Sequence, residues 1–192
     1  MTAHVVVGSV VAATLILLSI GAHAQAISVF GPSPDARSCF ESAKLAAQFG
    51  RSTPYAKNAC TRALEAGKLR TKDRAATHVN RGILSIALEQ YTSAMADFDA
   101  AILLYPRFGA IYLNRGNVLF LNDGYSNAIA EYTEALAAEM DEYEVAYLNS
   151  GMAHEILGDL ESAEADYRRA LALAPEWGLA ISKLARVLAK QN

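Results

Sequence analysis

The stretch AIYLNRGNVLFLNDGYSNAIAEYTEALAAEM, Ala110–Met140, decides the fold, because it occurs three times. Upstream it reads ATHVNRGILSIALEQYTSAMADFDAAILLYP (Ala76–Pro106), and downstream VAYLNSGMAHEILGDLESAEADYRRALALAP (Val145–Pro175). Gly82, Gly116 and Gly151 recur at spacings of 34 and 35, and each follows Asn-x: Asn80, Asn114 and Asn149. Each unit then carries Ala94, Ala128 or Ala163, an aromatic (Phe98, Tyr132, Tyr167), and Ala101, Ala135 or Ala170 before Ile or Leu. Pro106 and Pro175 close two of the three units. A period in this range is the mark of stacked helix pairs, which an ordinary helical bundle has no reason to show. Glycine and alanine fit where two helices cross closely, the aromatic fills the gap beside the crossing, and proline stops the second helix.

These residues resemble the tetratricopeptide-repeat (TPR) family. The resemblance is strong over residues 75–175 and extends over 37–190. It implies an all-α fold, a right-handed α-α superhelix of about 3–4 helix pairs with a capping helix. The repeats are placed at about 75–108, 109–142 and 144–177. A degenerate unit at about 37–70 has Phe40, Ala47, Ala56, Cys60, Ala63 and Leu64 near the family offsets but lacks the glycine, and Pro54 opens its second helix. Residues 67–74 (GKLRTKDR) make a connection longer than the family's usual junction. Residues 177–190 form an amphipathic helix that covers the open end of the last repeat, as a solenoid requires. The sequence departs from the family pattern at Arg81, Arg115 and Ser150, where Leu is usual before the glycine, at Met140, where Pro is usual, and at His154. The two arginines are expected to pack their stems while the guanidinium reaches an acidic group at the edge.

Residues 5–20 (VVVGSVVAATLILLSI) are apolar and uncharged. That run is short for a membrane span and suits the hydrophobic region of a signal peptide. Ala22-His23-Ala24 then offers an A-x-A site, so cleavage is expected after Ala24, with 1–24 as signal, 25–34 as linker and 35–190 as the repeat domain. No Lys or Arg precedes the run, which leaves an uncleaved membrane anchor as the alternative. The expected location is periplasmic or secreted. Ser33 or Asp35 is expected to cap the first helix, with Pro34 in its first turn.

The formal net charge over 192 residues is -3, and hydrophobic residues make up 53%, mostly Ala and Leu. Such a composition favours helix and offers no basic stripe for nucleic acid. The histidines His78 and His154 stand two repeats apart without metal-ligand spacing, and there is no phosphate loop or nucleophile elbow. No catalytic residue, metal or cofactor is expected, and the carboxylates Asp97, Asp99, Glu131 and Glu134 are expected on a solvated convex face. By family register Cys39 and Cys60 lie on the packed faces of the first helix pair. In an exported chain they are expected to form a disulfide, with two buried thiols as the alternative.

Family register also implies a concave groove lined by Val79, Asn80, Ile83, Leu113, Asn114, Asn117, Phe120, Leu148, Asn149 and Met152. Its column of asparagines can donate to and accept from a peptide backbone, or else serve the superhelix itself. The lysines of the family's two-carboxylate clamp are absent, with Val79, Leu113 and Phe120 in their places, so recognition of a C-terminal carboxylate is rejected. The reading is a protein-interaction or scaffold module, not an enzyme, taking a protein or peptide partner as a monomer or weak homo-oligomer. The alternatives are self-association and an accessory protein for a small ligand or glycan.

Overall fold

The computed structural model describes residues 24–28 and 33–191. The apolar run at 5–20 and Pro32 of the linker lie outside them. Helices run in consecutive antiparallel pairs: α1 (Pro34–Phe49) with α2 (Pro54–Glu65), α3 (Thr71–Ile86) with α4 (Tyr91–Leu104), α5 (Gly109–Leu121) with α6 (Tyr125–Ala137), and α7 (Tyr143–Leu157) with α8 (Leu160–Leu173). A single helix, α9 (Gly178–Gln191), follows. Each element packs on its neighbours in sequence, as a solenoid does. Among the described residues no helix is long and apolar enough to cross a membrane.

The local signals set the helix ends. Ser33 accepts from the Ala36 N–H at 3.2 Å and Thr53 from the Ala56 N–H at 3.2 Å, each just before a proline that needs no donor of its own. Gly50 and Gly158 end α1 and α7 at φ 64° and 83°, a left-handed turn that side chains with a Cβ resist. One boundary differs from the sequence reading. Residues 71–74, expected in a long connection, form the first turn of α3. Asp73 there takes an ion pair from Arg70 at 2.9 Å and suits the positive end of the helix.

Within each pair the aromatic of the second helix lies against the glycine of the first, sixteen residues earlier. A Cβ on Gly82 or Gly116 would overlap the ring of Phe98 or Tyr132, and one on Gly151 would stand 2.7 Å from Tyr167 Cε1. All three rings are fully buried, as are Ala94, Ala128, Ala163, Ala101, Ala135 and Ala170 around them. The ring's area is removed from water only because the glycine lets the helix axes close.

The residues that broke the sequence pattern have specific contacts. At the junction without proline, Glu139 N–H donates to Arg107 O at 2.9 Å and Gly109 N–H to Glu139 O at 2.7 Å, a single parallel bridge between the ends of two successive repeats. Met140 lies against Gly109, where any Cβ would collide with it. In the degenerate first unit Cys39 and Cys60 are bonded at an S–S distance of 2.10 Å, with both residues fully buried.

Gly116→Ala should cost about 2–3 kcal/mol, the penalty of overpacking a closed core. Gly178→Ala, where an added Cβ meets nothing within 4 Å, should change stability by less than about 1 kcal/mol. Urea unfolding followed by circular dichroism reads both. Reduction of the Cys39–Cys60 bond should lower stability by about 3 kcal/mol, given a loop of 21 residues, in melts with and without reductant.

Candidate functional site

Asn80, Asn114 and Asn149 occupy the same place on α3, α5 and α7 because the repeat brings them there, and all three are fully buried. Asn80 closes a two-way pair with the backbone of Ile27. Its Oδ1 accepts from the Ile27 N–H at 3.0 Å and its Nδ2 donates to the Ile27 carbonyl at 2.8 Å. Asn114 Nδ2 donates to the Gln25 carbonyl at 3.1 Å and to Ala110 O of its own helix at 2.7 Å. The chain's own residues 24–28 therefore lie in the valley between α3 and α5. They run from Ala24, beside Ile86, Ala87 and Leu121, to Ser28, beside Lys72 and Phe108. Ala24, Ala26 and Ile27 pack on the cluster that holds Val79 and Ile83.

The linker expected at 25–34 is thus bound at its start. Asn80 and Asn114 meet a backbone, as their chemistry allows, but Asn149 does not. Its Nδ2 donates to Asn117 Oδ1 at 2.9 Å, which also accepts from the Tyr132 hydroxyl at 3.1 Å. The reason is local: Asn117 stands where the neighbouring repeats have Ile83 and Met152, and it supplies a partner that those side chains lack. Burial pushes the Tyr132 hydroxyl well up, so it stays protonated and donates.

The ten residues expected in the groove are all buried, none more than 4% exposed. Leu113, Phe120, Leu148 and Met152 share one core cluster with Ala180 and Val187 of α9, while Val79 and Ile83 lie beneath the bound segment. Phe120 meets Tyr125 edge-on at 5.1 Å, and the guanidinium of Arg169 lies 5.7 Å from the Tyr147 ring. Neither ring presents a bare stacking face for a sugar.

Of the carboxylates assigned to a solvated face, Asp99 and Glu134 are exposed, Glu131 is half-buried and Asp97 is not on that face. Asp97 is buried, where it accepts from Arg81 Nη2 at 2.7 Å and His78 Nδ1 at 2.9 Å. Burial pushes its carboxyl up, but these bonds outweigh that and hold it below the usual range. The pairing recurs at sixteen residues: Arg115 with Glu131 at 3.1 Å, and Ser150 with Asp166 at 2.7 Å. Arg115 also reaches Asp99 at 3.3 Å, and Glu134 remains exposed. The residues that replace leucine before each glycine thus tie the two helices of a repeat together. The sequence reading did not pair Asp97 or Asp166 with them; the constant spacing of sixteen residues is the signal that points to both. Among the described residues no three metal-ligating side chains cluster.

Glu155 lies on α7, on the face read as groove, yet it receives the cap. Arg186 donates to it through Nε at 2.7 Å and Nη2 at 2.6 Å, Lys190 at 2.8 Å and Tyr167 at 3.0 Å. Its own burial pushes the carboxyl up, and the four donors bring it down to about 2.

A tetratricopeptide-repeat family model matches residues 145–176, the last of the helix pairs. The second TPR domain of the human RPAP3 protein, solved in complex with the HSP70 peptide SGPTIEEVD, superposes with a TM-score of 0.57. The match covers 62% of this chain and 98% of that one at 22% identity. Residues 145–176 are thus similar to a tetratricopeptide repeat, and the described helix pairs share the fold of tetratricopeptide-repeat domains. Two curated relatives are similar over about half of the chain: a Lipoprotein NlpI homolog of Haemophilus influenzae, 28% identical over 102 residues, and the Hsp70-Hsp90 organizing protein of Triticum aestivum, 33% identical over 95 residues. The match spans 32% and 16% of the length of those two relatives.

The Glu155 latch gives a pH-dependent outcome. Its folded-state value lies below its ordinary 4.5, so its contribution is complete above that pH and is lost as pH falls toward 2. Glu155→Gln should lower stability by about 1–3 kcal/mol at pH 7, and the gap to wild type should close between pH 4.5 and 2. Urea titrations across that range check it.

Proposed function

We propose that this TPR protein works in the bacterial envelope as an interaction module that takes an extended segment of a partner protein in its concave groove. It is a binding protein and not an enzyme. One observation carries the reading: Asn80 and Asn114 hold Gln25 and Ile27 through backbone atoms. A clamp made to the main chain does not depend on the ligand's side chains, so another extended segment can make the same bonds. The peptide complex of the RPAP3 domain supports a peptide ligand for this fold. The absence of a clamp lysine at Val79, Leu113 and Phe120 argues for an internal segment rather than a terminal carboxylate.

The envelope location rests on the A-x-A site and on the resemblance to a lipoprotein homolog. A buried Cys39–Cys60 bond suits the same oxidising compartment. Cleavage after Ala24 leaves every clamped atom in the mature chain, since the clamp begins at Gln25. The product should begin at Gln25, which N-terminal sequencing from a periplasmic fraction reads.

The groove itself is tested by photocrosslinking in cells of a Gram-negative host. A photoreactive residue at Ala87, which lines the valley beside Ala24, should give a defined protein crosslink that falls at least tenfold in the Asn80→Ala/Asn114→Ala protein. A crosslink that survives the double substitution, or that forms equally from exposed Glu134, overturns the groove reading.

A further inference from the structure

The bound segment is an incomplete ligand. At Ile27 the Asn80 amide engages both the N–H and the carbonyl of one residue. Two residues earlier an extended chain presents its next N–H and carbonyl to the same side. There Asn114 engages the Gln25 carbonyl alone, and its buried Oδ1 has no partner. The side chain of Gln25 is itself buried, and its Nε2 also has no partner. A buried donor and a buried acceptor left open both weigh against the bound state. Among the described residues, apolar contacts of Ala24, Ala26 and Ile27 also hold the segment.

We propose that residues 25–28 are a resident ligand that the protein carries in cis, and that its partner displaces them with a segment that closes the second amide pair. This rests on the groove reading and specifies it. The displacing segment is extended. It has a free N–H both at the position of Ile27 and two residues before it, which excludes proline at both, and an apolar side chain where Gln25 now stands. The short connection from Ser28 to the α1 cap at Ser33 keeps the resident segment at a local concentration on the order of millimolar. A peptide of the same sequence added from outside therefore competes at a disadvantage. A partner must exceed the resident segment in its bonds, which restricts the groove to ligands that make the pair Gln25 fails to make.

The test titrates three peptides into the protein and follows the side-chain amide resonances of Asn80 and Asn114. The first is acetyl-Ala-Gln-Ala-Ile-Ser-amide, the second has Leu in place of Gln, and the third is the first with an N-methyl group on Ile. The proteins are wild type, Ile27→Pro, which removes the clamped N–H, and a form with residues 25–28 replaced by Gly and Ser. Circular dichroism melts verify that each keeps the folded solenoid. Both released forms should bind the first peptide at least tenfold tighter than wild type does. The Leu peptide should bind each protein more tightly than the Gln peptide, and N-methylation should abolish binding. Equal affinity for wild type and released forms overturns the resident-ligand proposal and leaves the groove reading standing. Equal affinity for the Gln and Leu peptides overturns the claim about the displacing segment. Failure of all three peptides to shift either asparagine in the released forms overturns the groove reading itself.

Discussion

The contact between a glycine on the first helix of each repeat and an aromatic ring on the second is the constraint on which the rest depends. Phe98, Tyr132 and Tyr167 occupy space that any side chain at Gly82, Gly116 and Gly151 would fill. This fixes how closely each pair of helices approaches, and therefore where the next pair can stack. The asparagines two residues before each glycine inherit their positions from that crossing. Once the pairs are set at a common spacing, Asn80 and Asn114 stand at a distance that matches alternate residues of an extended chain. The groove chemistry is thus a consequence of core packing, with few side chains committed to it directly.

Around this core the polar residues secure the same geometry by other means. Arg81 with Asp97, Arg115 with Glu131 and Ser150 with Asp166 each bridge the two helices of a repeat, one residue before the glycine contact. At the open end the exposed face of the last pair is closed by α9, through Ala180 and Val187 in the core and through Arg186 and Lys190 on Glu155. Such a pair, a buried carboxylate with half-exposed cations, stabilises little relative to an apolar contact, but it sets where α9 docks. That is what a helix without a partner of its own needs. At the opposite end the cysteines hold α1 and α2, the pair that lacks the glycine.

Much of this was legible in the sequence, because repetition exposes packing. The 34-residue period, the glycine and alanine positions and the Ser33 and Pro54 helix starts are all local or periodic signals. The arginine pairs were half legible: an edge carboxylate was expected for Arg81, but the burial of Asp97 was not, since a charged residue on a second helix reads as solvated until its partners are placed. The resident segment left no signature. Ile27 and Asn80 are 53 residues apart, Gln25 and Asn114 are 89 apart, and the bonds use backbone atoms that any residue has. The fate of Asn149 was hidden for a related reason. The repeat makes it equivalent to its siblings, and only the neighbouring Asn117 diverts it.

The central claim is that a side-chain amide column holds an extended backbone in the groove, and the Ile27 amide reports on it directly. Hydrogen exchange measured by NMR at that single amide should show protection well above the unfolded-chain rate in wild type, lost in Asn80→Ala while the amides of α3 and α5 stay protected. An Ile27 amide that exchanges at the unfolded-chain rate in wild type, or one equally protected without the Asn80 side chain, would contradict the account.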